Sequence, residues 1–330
     1  MMLISRTPMR VSLFGGGTDY PDYYKNRRGA VVGLAIDKYI YIAALKLSGI
    51  QPYHYRLAYS QVEHVDCVTD IQHKAVKAAF DYYQILRPLD VSVMADMPAS
   101  SGLGSSSTFS VGLLNLIAHL RDEKVTKLDL ALRAIHLERE LLQENVGVQD
   151  QLHASFGGIN RFDFDSKHYR VTPMMMHSEC LSYLMQSLVL VHTGVTRHAS
   201  KVVTSQLAHT RSGKITKQLD SMLNMVDEAA EILTSNDPNA MLENLGKILH
   251  ESWMLKRTLS PEISSQEIDA LYDLCMHFGA LGGKLCGAGG GGFLLMLVPP
   301  NKFDAFVKAV APAKVINIGL DTQGSTIIYS

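Results

Sequence analysis

The sequence predicts a mixed α+β protein built in two halves. Three observations lead there: short segments that alternate apolar and polar residues, longer stretches with a helical apolar stripe, and a length of 330 residues, 47% of them hydrophobic, that is enough to bury two cores. No linker or repeat separates the halves, and the division is placed at 1–180 and 181–330.

Met9, Val11 and Leu13 alternate with Arg10, Ser12 and Phe14 and then meet a glycine run, the pattern of a strand entering a tight turn. Residues 36–44, rich in β-branched and aromatic side chains, predict a second strand. Val91, Val93 and Ala95 alternate with Ser92 and Met94 in a third, which runs straight into a loop at Pro98. After that loop Val111, Leu114 and Ala118 share one helical face, flanked by Leu113 and Ile117. Thr126 and Asp129 resemble a capping box, and Leu128, Leu132 and Ile135 carry a helix toward Glu138. Glycines 147, 157 and 158 mark residues 145–158 as a loop that breaks this helix. Residues 188–192 read as a short apolar strand, and residues 214–278 as helical, with breaks near Asn236-Asp237-Pro238 and Ser260-Pro261. A glycine run at 287–292, a strand at 293–298, a helix after Pro300 bearing Phe303, Phe306 and Val307, and an apolar segment at 326–329 complete the order.

Composition removes several function classes. Lys and Arg total 31 against 32 Asp and Glu, with no basic block, so nucleic acid is not the expected partner. The longest apolar run, Phe293 to Val298, stops at Pro299-Pro300 and is far too short for a bilayer, and the first residues lack the apolar core of a signal peptide. A cytoplasmic protein without membrane contact is expected, with a homodimer left open. Cys67, Cys180, Cys275 and Cys286 form no CxxC pair and predict neither a zinc site nor a disulfide framework.

Three glycine segments carry the chemistry. Pro98 to Ser107 places Gly102 and Gly104 before hydroxyls at a helix start, where free N–H groups and the helix dipole favour an anion. It lacks the Gly-Lys-Ser/Thr ending of a Walker loop, and Ser107 stands where a dinucleotide fingerprint needs its third glycine. A Ser-capped helix after an ordinary turn fits the same letters. The second segment, Gly15-Gly16-Gly17-Thr18-Asp19-Tyr20, offers a carboxylate to the hydroxyls of a polyol, or else a turn in which Asp19 caps its own backbone. The third, residues 287–292, has more glycines than a routine turn needs and predicts backbone passing close to a ligand or to another glycine loop.

Taken together, Thr7 to Tyr20, Pro98 to Ser107 and Cys286 to Phe293 resemble the three ordered motifs of the GHMP kinases, the galactokinase, homoserine kinase and mevalonate kinase family. The resemblance spans nearly the whole chain. It implies an N-terminal α/β half, a C-terminal ferredoxin-like half, and an active site between them that takes ATP and an acceptor. It also implies a nucleotide loop of non-Walker type, here Pro98, Ser101, Gly102, Leu103, Gly104, Ser105, Ser106 and Ser107.

Residue roles follow from matching motifs. Val146 to Gln151 resembles the Gly-x-x-Asp-Gln element of galactokinases, which makes Asp150 the catalytic base. Arg10 matches the basic residue of the first motif, where a permanent cation holds Asp150 ionised and offsets developing charge; a strand-end salt bridge is the plainer reading. Glu138 matches the metal-binding Glu and, with Ser106, implies a Mg2+ site, with neighbouring Glu140 as the competing carboxylate. Gly16, Gly17, Thr18, Asp19, Gln151, Gly289 and Gly290 are assigned to the acceptor.

Galactokinases carry Glu-His where this chain has Gly16-Gly17. Loss of both side chains enlarges the pocket and removes a negative charge, which suits a longer sugar or one bearing a phosphate. Met9 to Tyr20 with Arg28 to Tyr39 is similar to the D-glycero-D-manno-heptose 7-phosphate kinases, which implies phosphorylation of the anomeric hydroxyl to the 1,7-bisphosphate, a precursor of nucleotide-activated heptose for surface polysaccharide. Cations for the 7-phosphate are sought at Arg197 and Lys201, which also fit a solvated helix start.

Overall fold

The computed structural model describes residues 1–195 and 199–330, with the backbone alone for 199–201. The chain opens on β1 (Met2–Phe14), a short α1 (Pro21–Tyr24) and the long β2 (Gly29–Lys46), then β3 (Tyr55–Ala58), β4 (Val62–Val65), α2 (Lys74–Tyr82) and β5 (Leu89–Ala95). There follow α3 (Ser105–Leu120), α4 (Lys127–His136), α5 (Gln149–Phe156), β6 (Ile159–Phe164), β7 (Tyr169–Pro173) and α6 (Ser178–Ser187). The remainder runs β8 (Leu188–His192), α7 (Ala199–Arg211), α8 (Thr216–Ile232), α9 (Pro238–Arg257), α10 (Gln266–His277), β9 (Gly282–Leu285), β10 (Phe293–Leu297), α11 (Phe303–Ala309), β11 (Val315–Asn317) and β12 (Thr326–Tyr329).

Two sheets organise these elements. The first has the order β12-β1-β2-β5-β3-β4, with β6 and β7 added beside the first half of β2, and only the β3/β5 pair is parallel. The second has the order β11-β8-β10-β9 and is antiparallel throughout. Its helices join β8 to β9 and β10 to β11, which is the split βαβ arrangement of a ferredoxin-like half. Both faces of this sheet are covered: Leu190, Leu295 and Leu297 enter one core cluster while Val189, Val191, Leu294 and Met296 enter another. That double burial explains why 293–298 is an unbroken apolar run rather than an alternating one.

Sheet burial also explains β1. α3 and α5 pack against it, as do α8 and α9, so its second half is buried on both sides and the polar phase of its alternation, Arg10 included, is drawn inside. α3 is apolar nearly all round and is correspondingly buried against β1, β2, α4 and α5. The Thr126 cap forms as expected: its Oγ1 accepts from Asp129 N at 3.1 Å and donates to the Asp129 carboxylate at 2.6 Å.

Three expectations change. Residues 145–158 contain α5, whose buried Gln149, Gln151 and His153 interrupt any apolar stripe and hide the helix from a periodicity reading. α4 does not continue regularly; Leu137–Leu141 is a π-turn, with Leu142 N bonded to Leu137 O, and it carries Glu138 inward. Residues 181–330 are not one closed unit, because β12 crosses back to pair with β1 (Ile4 opposite Tyr329, Arg6 opposite Thr326) and so belongs to the first sheet. No helix among the described residues is long and apolar enough to cross a membrane.

Candidate active site

The three glycine segments meet at one cleft of about 590 Å³. Residues from β1, the loop before α3, the turn before α5, the end of α9 and the run after β9 line it. Glycine is required where backbones touch: a Cβ on Gly102 would stand 2.5 Å from Cys286 O, and one on Gly287 would stand 2.8 Å from Gly102 Cα. Gly104, at φ +78°, caps α3 without a side-chain partner for the first N–H groups, and the start of the helix borders the cleft, a setting that favours an anion. Ser101, Gly102, Gly104, Ser105, Ser106 and Ser107 line the cleft. Leu103 does not, since its side chain enters the core while its carbonyl accepts from Arg10 N, and Pro98 sits exposed at the start of the loop.

Arg10 and Asp150 form the centre. The guanidinium, 4% exposed, grips the carboxylate with two bonds, Nε to Oδ1 at 2.9 Å and Nη2 to Oδ2 at 2.7 Å. Its third arm, Nη1, donates to Gly102 O at 2.8 Å, so one side chain ties the carboxylate to the loop before α3. This fork fixes the position and orientation of Asp150, which faces the cleft beside Gly104.

Asp19 is buried as well. Its Oδ1 accepts from Gly17 N at 2.9 Å and its Oδ2 from Gln149 Nε2 at 3.0 Å. Burial raises its pKa, only partly countered by those bonds, and the neighbouring Asp150 charge adds to the rise. Gly147 is a glycine for this reason: a Cβ there would fall 1.9 Å from Asp19 Oδ2.

Glu138 lies in the π-turn with no exposed surface. Its Oε2 accepts from Ser107 Oγ at 2.9 Å and from Gln151 Nε2 at 2.5 Å, and burial pushes its pKa up to about 7. The hydroxyls around it are those of Ser107 and Ser110, whereas Ser106, one step round the helix, is exposed at the cleft. Glu138 Oε1 and Gln151 Oε1 are buried without a hydrogen-bond partner among the described residues. An all-oxygen set with orphaned acceptors fits Mg2+, which takes one or two carboxylates and completes its shell with water and phosphate. Among the described residues no group of three His, Cys, Asp or Glu side chains could hold a metal on its own.

Other assignments need correction. Thr18 is fully buried with its hydroxyl already used, donating to Gly15 O and Ala30 O and accepting from Ala30 N, so it braces the loop and does not face the acceptor. Gly289 and Gly290 pack on Ile263, with Gly290 N bonded to Ile263 O, and it is Gly287 and Ala288 that face the cleft. Gln151 lines the cleft but spends its amide on Glu138. Gly16 and Gly17 line the cleft. Arg197 and the Lys201 side chain lie outside the described residues.

The sequence reading missed two buried lysines, Lys256 and Lys284, which line the cleft beside Arg10 and Asp19. One signal was available: Lys256 extends the buried stripe Leu245, Leu249, Trp253 of α9, where a charge is out of place.

Comparison with known proteins supplies the relatives of the chain. The family model described as GHMP kinases N terminal domain matches residues 70–158, and GHMP kinases C terminal matches 240–317. The chain is 30% identical over 323 residues to the D-glycero-alpha-D-manno-heptose 7-phosphate kinase of Campylobacter jejuni, covering 93% of this chain and 92% of that one. It is 26% identical to the bifunctional fucokinase/GDP-fucose pyrophosphorylase of Arabidopsis thaliana over 88% of this chain, spanning 29% of that larger protein. The crystal structure of a D-glycero-D-manno-heptose 1-phosphate kinase from Bacteroides thetaiotaomicron superposes with a TM-score of 0.80 at 21% identity, covering 99% of this chain and 100% of that one, and shares the fold.

Proposed function

Since the chain belongs to the GHMP kinases and is a sugar kinase of that type, we propose that it transfers the terminal phosphoryl group of ATP to the anomeric hydroxyl of D-glycero-D-manno-heptose 7-phosphate, giving the 1,7-bisphosphate. The observation that carries the chemistry is the two-bond Arg10 grip on Asp150 at the edge of the phosphate loop. A carboxylate held there accepts the proton of the acceptor hydroxyl as its oxygen bonds to phosphorus, and the bond from phosphorus to the ADP oxygen breaks. The α3 N-terminus and the loop N–H groups hold the nucleotide phosphates. Ser106 and Glu138 would hold Mg2+, which when bound neutralises phosphate charge. Asp19, with Gly16 and Gly17, borders the sugar.

The heptose phosphate reading draws on the 30% identity to a heptose 7-phosphate kinase and on the small Gly16-Gly17 pair, which leaves room for an extended acceptor. In the cell this product would feed nucleotide-activated heptose for surface polysaccharide. An ADP-release assay across heptose 7-phosphate, unphosphorylated heptose, fucose and galactose tests it. Turnover on heptose 7-phosphate above the others is expected, and turnover confined to phosphate-free sugars would replace this substrate by another hexose or heptose. Binding of ATP and sugar with no turnover of any acceptor would make the chain a sensor; the intact Arg10–Asp150 pair argues against that outcome.

A further inference from the structure

Two ammonium groups in the cleft form no ion pair among the described residues. Lys256, in the last turn of α9, and Lys284, in β9, are 6% and 3% exposed. Lys256 Nζ donates to Gly287 O at 2.5 Å and Lys284 Nζ to Leu13 O at 3.0 Å, and neither forms an ion pair among the described residues. Each ammonium carries three donors, so most of that capacity is unused. Burial of an unpaired charge is strongly unfavourable, and groups placed so are normally paired with a ligand or driven neutral.

Position identifies the ligand class. Gly287, which Lys256 holds, rests on Gly102 of the phosphate loop, and Arg10 reaches the same Gly102 carbonyl from the other side. Arg10 itself is occupied by Asp150. Among the described residues that line the cleft, the cations left to meet an incoming oxyanion are the two lysines. We propose that Lys256 and Lys284 form a buried two-lysine site that receives a substrate phosphate, either the transferable phosphate of the nucleotide or the phosphate carried by the acceptor. This rests on the sugar kinase reading above and goes beyond it by naming the groups that read the phosphate.

The charged and titratable groups facing the pair are Arg10, Asp19 and Cys286, besides the lysines themselves. Burial lowers the Lys256 pKa to about 8, and burial together with the Lys256 charge lowers that of Lys284 to about 7. An arriving dianion restores both protons, so binding must be linked to proton uptake.

Calorimetry of the wild-type protein with magnesium AMPPNP and, separately, heptose 7-phosphate, at pH 8 in two buffers of different ionisation enthalpy, measures this. Both ligands are fully ionised there, and uptake of about one proton is expected for the ligand the site receives. Lys256→Met should weaken that same ligand about 10- to 100-fold. It should also raise the melting temperature of the free protein, because a strained charge is removed, whereas a purely structural lysine would lower it. A loss confined to heptose 7-phosphate, with the phosphate-free sugar unaffected, assigns the acceptor phosphate; a loss confined to AMPPNP and kcat assigns the nucleotide. No proton uptake with either ligand and affinities within about twofold in Lys256→Met would overturn the site. If wild-type turnover persists in that case, the kinase reading stands without it; absence of turnover on every sugar removes the kinase reading whatever the calorimetry shows.

Discussion

Glu138 should make the free enzyme less stable as pH rises, and Glu138→Gln should abolish that dependence. Its carboxyl has no exposed surface and its pKa is pushed from 4.5 to about 7 by burial, with hydrogen bonds from hydroxyls and Gln151 offsetting only part. The sign follows from proton binding: between pH 4.5 and 7 the folded protein holds a proton that the unfolded chain has released, so stability falls across this window and is level above it. The difference of about 2.5 pH units corresponds to about 3 kcal/mol at pH 8. With unfolding entropy of about 2.1 cal/mol/K per residue over 330 residues, that is about 4 °C in melting temperature. Glu138→Gln keeps the shape and removes the charge, so its melting temperature should match wild type near pH 4.5 and exceed it by about 4 °C at pH 8. Saturating magnesium nucleotide should erase the gap, because a cation at Oε1 would hold the wild-type carboxylate ionised, while turnover of the variant drops. Parallel melting curves of the two proteins across pH 4.5 to 8 would refute the reasoning.

Asp150→Asn would leave Arg10 donors facing an amide that can accept at only one atom, and kcat should fall about 10²- to 10⁴-fold with ligand binding largely retained; unchanged turnover would remove Asp150 as the base. Gly147→Ala places a methyl 1.9 Å from Asp19 Oδ2, and a loss of about 1–3 kcal/mol together with a raised acceptor KM is expected, read by denaturant melts and kinetics. Thr126→Ala deletes the α4 cap and should reduce stability by about 1 kcal/mol with kcat intact, since the cap is remote from the cleft; a change in kcat would tie α4 to the π-turn that presents Glu138.

The legible part of this protein was local. The β1 alternation, the Thr126 cap, the apolar run of β10 and the glycine segments each leave a mark within a few residues, although the neighbours that crowd Gly102 or cover both faces of β10 are distant in the chain. Even the missing Walker lysine was informative, because its absence set the loop at 98–107 apart from the Walker type.

What stayed hidden depends on neighbours distant in the chain. α5 is helical although it buries Gln149, Gln151 and His153, because Gln149 finds Asp19 and Gln151 finds Glu138 only after folding, while His153 Nδ1 meets Gln149 O. Residues 326–329 could have capped either half, and the free edge of β1 determines which. Ser106 and Ser107 are equivalent as letters; the helix rotation that the π-turn meets sends one to Glu138 and leaves the other at the cleft. Apart from the place of Lys256 on the apolar stripe of α9, nothing local marks Lys256 and Lys284, since burial, and with it the lowered pKa, is a property of the assembled cleft and of no segment alone.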